Sequence, residues 1–350
     1  MSASLPERGV PVAQLLDLGW AGPRPAAASP PIVIALVNSM PGEARRHTEQ
    51  QFRGILAAAA PDVAVDLRFY SLGAGTTEGA ERGPALPRYG DTATLPSSIP
   101  DGMIVTGMPP RAPALPDEPY WHAFTELVDF ATAHAVPTVW SCLAAHAAVL
   151  HLDGIERRRL PEKLSGLVEC ARTEDAHPAM AGLPARWLVP HSRYNEVPEA
   201  ALLARGYRIL VRSDAAGADI FVDDTRAPFL FCQGHPEYDA HALLREYRRD
   251  VRQFLAFERD RYPAMPDRYF GAGVAALLDA FRVRAERARG IDMFAEFPLA
   301  ACAADLRHSW HDLSVSLYTN WLAQVAGHKA RRAGLAANDW PAPLRRSARV

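Results

Sequence analysis

Pro137-Thr138-Val139-Trp140-Ser141-Cys142 runs straight into Leu143-Ala144-Ala145-His146-Ala147-Ala148-Val149-Leu150. The first half reads as a short strand with little polar surface, the second as an Ala-rich helix. A strand that is apolar on both faces suits the inside of a parallel sheet, where helices cover each side. The residue at such a junction is held at the carboxyl edge of the sheet, where open α/β sheets place their sites. That residue is Cys142. A helix N-terminus favours a thiolate and offers backbone N–H groups to an oxyanion. The plainer reading is a small buried hydrophobe, since free cysteine often serves as one.

The same alternation extends in both directions. Residues 31–38, 63–70 and 102–107 read as strands, and 44–60 and 120–134 as helices. Further strands are expected at 186–190, 206–212, 219–223 and 228–232, and helices at 239–258, 271–289 and 308–327. Strand followed by helix, repeated, predicts an α/β fold with a mostly parallel sheet flanked by helices. Residues 1–30, rich in Pro and Ala, read as an extended lead-in, and 31–258 as the α/β domain. Residues 259–335 read as a C-terminal helical extension and 336–350 as a frayed, basic tail. Residues 73–99 read as a long mobile loop.

Composition narrows the functional classes. The 350 residues carry 38 Lys and Arg against 40 Asp and Glu, a net charge of −2, which argues against a chain-wide affinity for nucleic acid or anionic membrane. No run approaches the ~20 apolar residues of a membrane span, and no secretory signal is visible. The four cysteines are too few and scattered for a disulfide framework or a CxxC metal site, so the default compartment is the cytoplasm.

A second strand end, Phe229-Leu230-Phe231-Cys232, delivers Gly234-His235-Pro236-Glu237-Tyr238. A thiolate acyl-transfer site needs a base for the thiol proton and an acid to orient that base. His235 and Glu237 fit those two roles; alone, they would be an ordinary surface turn. Cys170, Cys232 and Cys302 lack such a setting and read as structural. Cys142 and His146 lie one helical turn apart, but no third ligand has suitable spacing, so no metal site is expected. Met108, after the strand-ending Gly107, could give a second oxyanion N–H. Lys163 and Ser192 read as members of polar loops and Arg249 as part of a solvated helix face. No GxGxxG or phosphate-binding loop is present, so no nucleotide cofactor is expected.

Taken in order, NSMP (38–41), IVTGMP (104–109), WSCLAAHA (140–147), LPEKLSG (160–166), PHSRYNEV (190–197), GHPEYD (234–239) and NWL (320–322) resemble a known family. It is the homoserine O-acyltransferases of the homoserine O-succinyltransferase type, whose fold is similar to the class I glutamine amidotransferases. The resemblance covers residues 30–258 and 308–326; residues 259–307 show little of it. It implies ping-pong acyl transfer from acyl-CoA, as co-substrate rather than resident cofactor, to homoserine. Cys142 would carry the acyl group, His235 would be the base, and Glu237 would orient it. Amides near Leu143 and Met108 would hold the oxyanion. Lys163, Ser192 and Arg249 match the family's acceptor positions. A homodimer is implied by the family alone.

Several residues depart from the family pattern. GEARRHTEQQ is longer than usual and lacks a Lys, with Arg45 and Arg46 as the nearest cations. Leu143-Ala144 and His146 replace a Trp-Gly and a Gln. Arg111 stands where the family sorts succinyl from acetyl donors, and its charge leans towards succinyl. Serine or a related hydroxy-amino acid is the alternative acceptor. A glutamine amidotransferase or amidase with the same Cys-His-Glu set is the alternative enzyme; LPEKL and PHSR speak against it. A non-catalytic regulator is the third reading, against which the intact Cys142, His235 and Glu237 weigh.

Overall fold

The computed structural model describes residues 30–73 and 89–334. The lead-in read over 1–30, save its last residue, and the tail 336–350 lie outside the described residues, as do residues 74–88 of the loop read over 73–99.

Ten strands form one sheet. They are β1 (Ile32–Val37), β2 (Val65–Ser71), β3 (Gly90–Asp91), β4 (Gly102–Val105), β5 (Thr138–Ser141), β6 (Arg158–Arg172), β7 (Arg186–Glu196), β8 (Arg208–Ser213), β9 (Gly217–Asp223) and β10 (Phe229–Cys232). Their spatial order is β3-β2-β1-β4-β5-β10-β9-β8-β6-β7. The run from β3 to β10 is parallel, and the pairings from β10 through β9, β8 and β6 to β7 are antiparallel. This is the α/β architecture with a mostly parallel half that the strand–helix alternation predicts.

Helices cover both faces. Phe52, Ile55 and Leu56 of α1 (Gly42–Ala59) pack with Leu317, Tyr318, Trp321, Leu322 and Val325 of α8 (His311–Arg332) over Ile32, Ile34 and Leu36. On the other face Phe124, Leu127 and Val128 of α2 (Trp121–Ala133) and the alanines of α3 (Leu143–Asp153) meet Val105, Trp140, Phe229 and Phe231. Each large apolar side chain buried this way stabilises the fold by about 1.5–3 kcal/mol. A short helix, α4 (Glu199–Ala204), follows β7. A third cluster joins α5 (Ala242–Leu255), α6 (Ala272–Arg287) and α7 (Leu299–Asp305) to Leu167 of β6.

The structure corrects two local expectations. Within the stretch read as a loop over 73–99, Gly90–Asp91 is strand β3 and Thr92–Ser97 forms a 3-10 helix. LPEKLSG and PHSR are not loops. They lie within β6 and β7, a long hairpin at the edge of the sheet. Its pairing breaks between Arg159 and Leu164, where Pro161 sits. A bulge tolerates a proline that a regular ladder would not. Both strands are half-exposed and rich in charge, so their sequence lacks the apolar alternation that marks a strand.

Gly166 explains how the chain after residue 258 attaches. Its φ is +138°, a conformation that side chains rarely adopt. Leu167 N donates to Asp267 O at 2.9 Å and Asp267 N to Ser165 O at 2.9 Å, so the backbones touch. An added Cβ would collide with the Asp267 main chain. Gly166→Ala is therefore expected to destabilise the protein by about 3 kcal/mol through strain and overpacking. A urea denaturation midpoint equal to that of the parent protein would contradict this account.

Candidate active site

β5 and β10 are parallel neighbours, with Ser141 level with Cys232. Each chain leaves the sheet at the same edge, so Cys142 and His235 arrive together. Cys142 caps α3 with φ 53° and ψ −113°, and its N–H donates to Cys232 O at 2.7 Å. A non-glycine residue in that region costs about 1–3 kcal/mol, a strain typical of functional sites. The turn keeps the side chain half-exposed while its neighbours are packed.

His235 is buried and held from several sides. Its N–H donates to Pro190 O at 2.8 Å. Its Nδ1 pairs with Glu237 Oε1 at 2.8 Å, which leaves Nε2 for Cys142, its other hydrogen-bond partner. The Tyr238 ring stacks on the imidazole at 4.1 Å. Burial alone would pull the imidazolium pKa down, but the charges of Cys142 and Glu237 outweigh it and hold it well above the ordinary value. Ser141, which the sequence reading passed over, donates to the same Glu237 Oε1 at 3.1 Å. Its serine closing a buried strand was the available signal.

The oxyanion expectation has a geometric basis at Leu143. Its amide is the first of α3 and has no intrahelical acceptor. Gly107, at the end of the strand before Met108, lies against it: an added Cβ would stand 2.9 Å from Leu143 N and 2.8 Å from Leu143 Cβ. Only glycine leaves that amide open.

Lys163, Ser192 and Arg249 converge, and two carboxylates absent from the sequence reading join them. Lys163 Nζ lies 2.9 Å from Asp250 Oδ2 and 3.5 Å from Glu246 Oε2. Ser192 Oγ donates to Glu246 Oε2. Arg249 binds Asp250 Oδ1 through Nε at 3.0 Å and Nη2 at 2.8 Å. Burial would raise the Glu246 carboxyl, but Lys163, the hydroxyls of Ser192 and Tyr238, and Arg249 together hold it below its ordinary value. Tyr238 joins the two groups of residues: its ring lies on His235 and its hydroxyl donates to Glu246 Oε1 at 2.5 Å. Glu246, Arg249 and Asp250 follow i, i+3, i+4 spacing on α5, the one sequence signal that could have grouped them.

Other expected residues lie elsewhere. Arg111 is exposed, and its main-chain N–H donates to Glu118 Oε1 at 2.7 Å. Arg45 Nε donates to Met40 O at 3.0 Å and its guanidinium lies over Tyr89, while Arg46 pairs with Glu43 at the surface. His146 turns inward to Gln233 Oε1 at 3.0 Å, and burial lowers its pKa to about 3. Burial pushes the thiols of Cys170, Cys232 and Cys302 up, that of Cys302 to about 11.

Among the described residues one cluster, Cys170, His191 and Asp219, has the donor types of a metal site. Its hydrogen bonds do not fit one. Arg193 Nε donates to His191 Nδ1 at 3.3 Å, and burial keeps the imidazole neutral. Its single proton is thus on Nε2, facing Asp219 Oδ1 at 3.4 Å. The network instead braces the turn before His235, for Gly234 N donates to the same Asp219 oxygen at 2.9 Å.

A strained cysteine beside a histidine–glutamate pair, with open amides at a helix start, has the parts needed for acyl transfer. Residues 26–330 match the homoserine O-succinyltransferase family, including the 259–307 stretch where the motifs fall silent. The homoserine O-succinyltransferase of Methylorubrum extorquens is 44% identical over 330 residues, covering 92% of this chain and 96% of that one. The corresponding protein of Bradyrhizobium japonicum is 42% identical over 296 residues, covering 84% and 90%. Among solved structures, a glutamine amidotransferase from Methylobacillus flagellatus aligns with 83% of this chain and 94% of its own, at 17% identity and a TM-score of 0.46. The chain belongs to the homoserine O-succinyltransferase family. No helix among the described residues is long and apolar enough to cross a membrane.

Two measurements check this site. Removing the Cys142 charge leaves Glu237 alone against burial, so Cys142→Ala should lower the pH at which His235 titrates by NMR. An unmoved titration would separate the two residues. The sign for stability follows: a His raised above its unfolded value stabilises fully below about pH 6.5, and that contribution fades as pH climbs through the folded value. Gly107→Ala should slow acylation of Cys142 by on the order of a hundredfold, the loss typical of one oxyanion donor. Unchanged acylation would take Leu143 N out of the site.

Proposed function

We propose that this enzyme transfers a succinyl group from succinyl-CoA to the hydroxyl of homoserine in two steps, through a thioester on Cys142. Family membership supports the overall reaction. The observation that supports the covalent route is His235, held between Cys142 and Glu237 with its pKa raised by both.

In the first step the Cys142 thiolate attacks the thioester carbonyl of the donor. The oxyanion takes hydrogen bonds from the amides of Leu143 and Met108. As the intermediate collapses, the leaving CoA thiolate receives the proton from His235 Nε2. Acylation removes the negative charge from Cys142, and with it one of the two charges that raise His235. Burial then favours the neutral imidazole, which is the form a base needs. In the second step His235 Nε2 takes the proton of the acceptor hydroxyl as its oxygen attacks the thioester. Cys142 leaves as thiolate and the ion pair is restored.

The acceptor is a zwitterion, and the second polar group suits one. Lys163 and Arg249 offer cations to its α-carboxylate, and the ionised Glu246 offers an acceptor to its ammonium. Serine is shorter by one methylene, which a pocket discriminates by about 10–200-fold. It remains the second acceptor to test.

Intact-protein mass spectrometry after mixing with succinyl-CoA, without acceptor, should show a succinyl adduct. Cys142→Ser should show little of it, because a neutral hydroxyl is a far poorer nucleophile; wild-type adduct levels in that variant would end the assignment. Lys163→Met should slow discharge of the adduct by homoserine more than its formation. Equal slowing of both steps would remove Lys163 from acceptor binding.

A further inference from the structure

Arg157 lies in the short connection between α3 and β6 and is half-buried. Its Nη1 is buried and has no hydrogen-bond partner among the described residues. No carboxylate of those residues lies within ion-pair distance of it, although the structure pairs most of its buried charge. Two more buried polar atoms without partners are Tyr120 Oη and Glu118 Oε2, and Tyr120 shares one apolar cluster with Ile155, two residues before Arg157. Tyr120 is 5% exposed and Glu118 is 3% exposed. Arg158, the next residue, pairs with Glu196 in the β6–β7 ladder, and Val197 N donates to Gln233 Oε1, two residues before His235, which sets this connection at the edge of the sheet that carries Cys142 and His235.

Glu118 also reaches the loop after β4. Glu118 Oε1 accepts from the amides of Arg111 and Ala112 at 2.7 and 2.9 Å, so one carboxylate oxygen fixes the loop that carries Met108. The same contact holds Arg111 by its backbone while its side chain stays at the surface. The position that the family resemblance marks for donor sorting therefore borders the cluster without supplying its charge.

We infer that Arg157, with the Tyr120 hydroxyl, binds the distal carboxylate of the donor's succinyl group and so sets donor specificity. This rests on the acyl transfer proposed above. A succinyl group is an acetyl group extended by one methylene and a carboxylate. With its carbonyl at Leu143 and Met108, the remainder of the chain must be housed close to Cys142. A carboxylate taken out of water there needs a cation and further donors. A guanidinium has five N–H donors and can grip a substrate carboxylate with two parallel hydrogen bonds. Burial pushes the Tyr120 phenol up, so it stays an O–H donor.

The test is the initial rate of Cys142 acylation without acceptor, read by intact mass, with succinyl-CoA, acetyl-CoA and butyryl-CoA. Butyryl matches succinyl in carbon number but ends in a methyl. The parent protein should prefer succinyl-CoA to butyryl-CoA, and Arg157→Met should reduce that preference by on the order of a hundredfold, as expected when one partner of a buried charge pair is removed. Arg157→Lys should fall between the two. An unchanged succinyl-to-butyryl ratio overturns the assignment, as does a larger shift in Arg111→Gln than in Arg157→Met. If Arg157→Met fails to fold, the ratio in Arg157→Lys decides in the same way. A parent protein acylated by none of the donors would instead overturn the acyl-transfer reading, and this inference with it.

Discussion

The pairing of β5 with β10 is the constraint on which the rest of the site depends. The two strands are parallel neighbours, and Ser141 sits level with Cys232. One residue later, the Cys142 N–H is tied to Cys232 O at 2.7 Å. Parallel strands end at a common edge, so Cys142 and His235 are delivered to one place from distant parts of the chain. The register also places the Ser141 hydroxyl on Glu237. A slip of one residue would turn Trp140 out of its aromatic cluster and carry Cys142 away from His235. The apolar packing that fixes this register also offsets the backbone strain at Cys142.

Charge within this frame is coupled: against its burial, the pKa of His235 is raised by Cys142 and Glu237. In the two-step transfer proposed above, the thioester would remove the first of these charges and lower the proton affinity of His235 without any movement of the fold. The second polar group uses the same principle with the sign reversed: Glu246 is a half-buried carboxylate whose pKa is held down chiefly by Lys163, then by two hydroxyls and Arg249. Tyr238 touches both centres, through its ring on one side and its hydroxyl on the other. The two groups of residues are thus mechanically linked through one side chain.

What could be read from the sequence follows from where each element lies. β5 and β10 are short and buried on both faces, so their apolar runs and the polar residues that end them were legible, and Cys142, His235 and Glu237 followed. The β6–β7 hairpin is at the edge, half-exposed and bulged at Pro161, so Lys163 and Ser192 looked like loop residues. Arg249 read as part of a solvated helix face, and Glu246 and Asp250 beside it were passed over, because their pairing with Lys163 spans many residues of the chain. Arg157 was invisible for a related reason: its Nη1 has no hydrogen-bond partner among the described residues, so no second residue marks it.

The segment after α5 shows why a stretch with few motif residues can still matter to the chemistry. It grips the site mainly through main-chain groups. Trp310 Nε1 and His308 Nε2 donate to Tyr238 O at 2.8 and 3.0 Å, just beyond the triad. Arg289 donates to Phe254 O at 2.6 Å and to Arg259 O at 2.7 Å, holding the end of the helix that carries Glu246 and Arg249. Asp267 bonds the backbone of β6 at Ser165 and Leu167, two and four residues beyond Lys163. Backbone targets place no demand on the side chain that carries them, so little of this bracing can be written as a residue pattern. Acyl transfer nevertheless needs its groups held to within a fraction of an ångström. The hairpin and α5 each lean on this extension, and it is their common support that sets Lys163 and Arg249 in a fixed relation to Cys142.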